Sequence, residues 1–117
     1  MYYYSLFDLG TAYSKLGENE AAMQKYAQIS NDAPEAVRYA AYYNAGIIAY
    51  KGGRFDEASE YFRMALEINS SSIEAKINME LSIQQAEVEV QNSKAQALPA
   101  TEEKQNNPVC VFVRSCV

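Results

Sequence analysis

The chain has 117 residues, 10 basic and 15 acidic, for a net charge of −5 and no histidine. That length suits one domain with a modest core, and an acidic balance without any basic run argues against nucleic acid as a partner. Without histidine, Ser-His-Asp and Cys-His catalysis and the commonest zinc and haem ligands are excluded together, and no apolar stretch approaches a membrane span.

Met1-Tyr2-Tyr3-Tyr4 runs straight into a helical pattern with no leader or cap, as expected of a piece of a longer protein. The first predicted helix spans about 3–16, with Leu6, Leu9, Gly10 and Tyr13 as its packing stripe, and Gly17 ends it. A second, about 20–30, packs through Ala22, Tyr26 and Ile29. The turn Asn31-Asp32-Ala33-Pro34-Glu35 follows, with Asp32 and Glu35 at capping-box spacing. A third helix covers about 35–50 and stops at Gly52-Gly53, where glycine supplies the backbone angles a tight turn needs. The fourth, about 56–69, opens on Asp56-Glu57 at the positive end of its dipole. It carries Ala58, Tyr61, Phe62, Ala65 and Leu66 on one face.

Ser71-Ser72-Ile73-Glu74 reads as a further capping box, starting a fifth helix near Ser72 that runs to about 92 without a glycine break. At about 100° per residue, Met79, Ile83, Ala86 and Val90 share one side of it, while Ile73, Ile77, Leu81 and Val88 share another. One of these faces can pack on the preceding helix; the other is left to explain. Residues 93–117 are expected to form a flexible tail, polar and proline-containing at first. The tail closes with the β-prone run Val109 to Val113, either a loose end or a segment able to pair with or occupy a groove. Cys110 and Cys116 lie in that tail, so the repeat body contains no cysteine and suits a compartment without disulfides; the cytoplasm is the expected location.

The chain repeats itself at an offset of 36 residues: Gly10 with Gly46, Gly17 with Gly53, Ala22 with Ala58, Tyr26 with Phe62. Leu6-x-x-Leu9-Gly10-x-x-Tyr13, Ala22-x-x-x-Tyr26 and Pro34 resemble the tetratricopeptide repeat, whose pattern is W-x2-L-G-x2-Y, A-x3-F and P over about 34 residues. Tyr42-x-x-Ala45-Gly46-x-x-Ala49 and Ala58-x-x-x-Phe62 repeat it, with Ser70 in the place of the proline. Asn78-Met79-Glu80 begins a third, half copy in which Glu80 replaces the small residue. The resemblance implies an all-α antiparallel helix-hairpin solenoid: two full repeats at about 3–36 and 39–72, then a terminal helix at about 72–92, in one domain over 1–92.

It also implies a partner-binding concave groove lined by the first helix of each hairpin. Those positions hold Tyr4, Phe7, Thr11 and Ser14, then Tyr43, Asn44, Ile47 and Tyr50, then Ile77, Asn78, Leu81 and Gln84. The second apolar face of the fifth helix falls on this groove. Asn44 and Asn78 could hydrogen-bond a peptide backbone, or the aromatics could simply pack against one another. The lysine- and arginine-rich groove that grips terminal carboxylates in some members is not matched: of Phe7, Thr11, Asn44, Glu74 and Asn78, only Asn44 fits, and Glu74 would repel a carboxylate. Among the ten tyrosines, Tyr13, Tyr26 and Tyr42 fall on packing positions, Tyr61 on the core rim, and Tyr4, Tyr43 and Tyr50 off the stripe. Asp56 and Glu57 serve a helix start, while Glu60 and Glu67 form a solvated face rather than an acid–base pair. The expected function is a protein-interaction scaffold holding an apolar or aromatic peptide or helix, with no enzymatic activity and no cofactor. The alternative is a homo-oligomeric module stacking through its terminal helices, since two repeats are fewer than the usual three.

Overall fold

A computed structural model describes residues 2–96, with side chains through 94. These form five α-helices and no strand: α1 Tyr2–Lys15, α2 Asn19–Ala27, α3 Glu35–Lys51, α4 Phe55–Ile68 and α5 Ile73–Gln96. Helices α1 and α2 make one antiparallel hairpin and α3 and α4 a second, with α5 laid along α4. The expected tail, with Val109 to Val113 and both cysteines, lies outside the described residues, except that 93–96 continue α5.

Each hairpin is closed by a glycine under an aromatic ring. A Cβ placed on Gly10 would stand 2.8 Å from Tyr26 Cε1, and one on Gly46 would stand 2.7 Å from Phe62 Cε1. The missing side chains therefore let the second helix of each pair approach its partner directly. Gly17 and Gly53 turn the chain, both at φ +82°. Around the rings, Ala22, Tyr26, Ala41, Ala45 and Ile48 form one core cluster, and Ala49, Ala58 and Phe62 form another.

Four expectations need correction. Leu9 is 43% exposed rather than packed, since no helix among the described residues covers that side of α1; its repeat counterpart Ala45, which has α2 beside it, is buried. In α5 the buried residues are Ala75 and Ser82, with Ser72 buried just ahead of the helix and Met79 and Ala86 partly covered, while Ile83 and Val90 are exposed. Small residues win there because α4 lies close, and the Ser82 hydroxyl is satisfied by donating to the Asn78 carbonyl at 2.8 Å. No capping box opens α3: Pro34 is its N-cap, without a side-chain bond, and its carbonyl receives the Val37 and Arg38 amides. At α5 the cap is Ser72 rather than the expected Ser71–Glu74 box: Ser72 Oγ accepts the Ala75 amide at 3.1 Å, while Ser71 Oγ donates to Asn69 Oδ1 at 2.9 Å.

The boundaries also differ in one informative place. α2 stops at Ala27, not near Ser30. At about 1.5 Å per residue it is about 13 Å long against about 21 Å for α4. Consequently α2 touches α3 over far less of its length than α4 touches α5.

Candidate partner-binding faces

The residues expected in the groove fall into two groups, each centred on an aromatic ring. Around Tyr26, Phe7 packs ring to ring at 5.8 Å. The Tyr26 hydroxyl lies 2.9 Å from Thr11 Oγ1 and accepts the Asn44 side-chain amide at 3.2 Å. Helices α1, α2 and α3 are thereby joined at one oxygen. Around Phe62, Tyr43 sits edge-on at 5.6 Å and stacks on Tyr39 at 6.0 Å. Ile47, Tyr50 and Met79 pack on the same cluster, and Tyr50 meets Phe55 at 5.0 Å. Asn78 donates to the Tyr43 hydroxyl at 2.9 Å, and the Tyr39 hydroxyl meets Ser72 Oγ at 2.6 Å, so α5 is tied to α3 twice.

Each asparagine thus spends one of its two amide N–H groups inside the fold, with the second N–H and the carbonyl oxygen outside those two bonds. Phe7, Tyr43 and Tyr50 each have a ring partner within the chain, whereas Tyr4 and Ile77 are 52% and 53% exposed. Leu81 is half-buried. Burial, opposed by the Asn78 hydrogen bond, holds the Tyr43 phenol above its ordinary value. Tyr61 is raised by burial first and then by nearby Glu57. Both stay neutral donors at physiological pH.

A second feature escaped the sequence pattern. A cavity of about 220 Å³ lies between α2, α3 and α4, lined by Met23, Ile29, Arg38, Tyr42 and Tyr61 among others. On α3 it uses Arg38, Ala41, Tyr42 and Ala45, the side opposite Tyr39, Tyr43 and Ile47 at about 100° per residue. Its only sequence trace is the early end of α2, which periodicity does not mark.

Among the described residues no cluster of three acidic, cysteine or histidine side chains could hold a metal, and no helix is long and apolar enough to cross a membrane. Paired helices closed by a glycine under an aromatic, repeated in register, define a helix-hairpin repeat protein. Two family models, each described as tetratricopeptide repeat, match residues 4–36 and 39–72, together more than half of the chain. The chain belongs to the tetratricopeptide repeat family. Such repeats generally mediate protein–protein interactions, and proteins built from them are typically non-enzymatic scaffolds. Comparison with curated proteins gives no match.

Proposed function

We propose that the chain holds an apolar or aromatic peptide or helix of a partner protein along the face formed by α1, α3 and α5. The observation that carries this reading is the register of that face. Phe7, Tyr43 and Ile77 occupy matching positions on the three helices, as do Thr11, Ile47 and Leu81. Ile77 and neighbouring Ile73 are exposed, while Met79 on another side of α5 packs against the Phe62 cluster. An exposed pair of isoleucines beside a half-buried tyrosine offers apolar area to a ligand. The hydroxyl–amide links beneath keep that surface rigid, which limits the entropy lost on binding.

The test is selection of peptides from a random library on the full chain, followed by amide chemical-shift mapping of the best binder. Apolar or aromatic sequences that perturb Tyr43, Ile47, Ile77 and Leu81 support the reading. Binders that leave those four unmoved overturn it.

A second reading, assembly of several copies, is favoured by one observation. Tyr2, Leu9 and Leu16 recur every seven residues on one side at the start of the array and are 63%, 43% and 75% exposed. The far end suits stacking less well. The side of α5 that a further hairpin helix would cover carries the charged Lys76, Glu80 and Glu87 beside exposed Ile83 and Val90. A solution mass above that of one chain, lowered by Leu9→Arg, would favour assembly.

A further inference from the structure

The cavity between α2, α3 and α4 is lined by aliphatic residues and three tyrosines, with Arg38 as its one charged residue. Its volume, about 220 Å³, exceeds the roughly 150 Å³ at which an apolar cavity already holds a benzene ring. It therefore has room for one aromatic or branched aliphatic side chain. Arg38 is half-buried and fixed: its Nε donates to the Ala33 carbonyl at 3.0 Å, which leaves the outer nitrogens of the guanidinium as donors. Among the described residues the other two arginines are paired, Arg54 with Glu57 and Arg63 with Glu60 and Glu67, and Arg38 has no acidic partner. A cation oriented at an apolar cavity and lacking a carboxylate is complementary to a ligand that brings one.

We infer that this cavity is a second peptide-binding site, on the side of α3 away from the groove, and that it takes an apolar side chain adjacent to an acidic residue. The ring or branched chain fills the space between Met23, Ile29, Tyr42 and Tyr61, and the carboxylate pairs with Arg38. The site exists because α2 ends at Ala27, too short to close over α3. It does not depend on whether the groove binds anything.

The probe is a capped tetrapeptide, acetyl-Gly-Phe-Asp-Gly-amide, titrated into the full chain and followed by amide chemical shifts. Its neutral twin carries Asn in place of Asp. The acidic probe should shift the Ala27, Ile29 and Ala45 amides saturably, and the twin should bind about ten-fold more weakly, as loss of one charge-assisted contact implies. Arg38→Gln should bring the two probes to equal affinity. Ala27→Phe, at an exposed position on the cavity wall, should abolish both without disturbing the fold. Equal affinity of the two probes for the unaltered chain would overturn the inference, as would shifts confined to Tyr43 and Ile77 or an absence of shifts. Cavity shifts that appear on raising protein concentration alone would make a second copy the occupant, and that too would overturn it.

Discussion

The two junctions between successive hairpin elements use the same parts and end up different. At the second, the 14-residue α4 lies along α5, and Ala75 and Ser82 are sealed with no exposure. At the first, the nine-residue α2 leaves a cavity against α3 and relies on the Tyr26 hydroxyl, shared by Thr11 and Asn44, to hold three helices together. Both junctions carry polar links, the second through Asn78 with Tyr43 and Ser72 with Tyr39. They differ in that the second is sealed at Ala75 and Ser82 while the first keeps a cavity between α2 and α3. In a repeat array, helix length decides which.

The comparison can be broken most severely at its packed end. Phe62→Ala empties a fully buried ring site and should cost about 3–5 kcal/mol in chemical denaturation. That is a large share of the stability of a domain this size. Next in size is a matched pair of added methyls. Ala75→Val overfills the sealed junction and should destabilise by about 1–3 kcal/mol. Ala41→Val projects toward the cavity of the open one and should stay within about 0.5 kcal/mol of the unaltered protein. Equal costs for the two would mean that the junctions do not differ in packing.

A smaller effect sharpens the polar side. Tyr26→Phe makes the first ring like the second, removing the acceptor of Asn44 and the partner of Thr11, and should cost about 1 kcal/mol. The smallest is a pH effect. The Tyr43 and Tyr61 phenols are raised in the folded protein, so they hold their protons more tightly there than in the unfolded chain. Their contribution is complete below the ordinary phenol value of 10.0 and is lost as pH rises through the folded values. Thermal melts should therefore be insensitive to these groups at neutral pH and begin to fall only in strong alkali.

The hairpins were legible because their determinants are local. Gly10 with Tyr26 and Gly46 with Phe62 recur at fixed spacing, and each glycine has one physical use, admitting a ring. The matching positions on α1, α3 and α5 follow from the same repeat, since its offset sets the register. The early end of α2 was not legible, because the side-chain bonds of the turn that follows it carry no periodic signal. Ser30 Oγ binds the Asp32 amide and the Tyr3 hydroxyl, while Ala33 is buried and its carbonyl held by Arg38. Nor could spacing reveal that Asn44 and Asn78 are already engaged, because that requires knowing which hydroxyls cross beneath them. Leu9 and Ile83 were misplaced for a third reason: periodicity marks an apolar face but does not say whether a neighbouring helix exists to cover it.

The most direct measurement compares two exposed apolar positions, Ile77 on the proposed binding face and Leu9 at the start of the array. The best peptide from the library selection would be titrated against Ile77→Arg and Leu9→Arg, each checked for unchanged helicity. The expected result is a loss of about ten-fold or more for Ile77→Arg, on the order of 1.4 kcal/mol, with Leu9→Arg within about two-fold of the unaltered chain. Equal losses, or a larger loss for Leu9→Arg, would contradict the assignment of partner binding to the α1, α3 and α5 face.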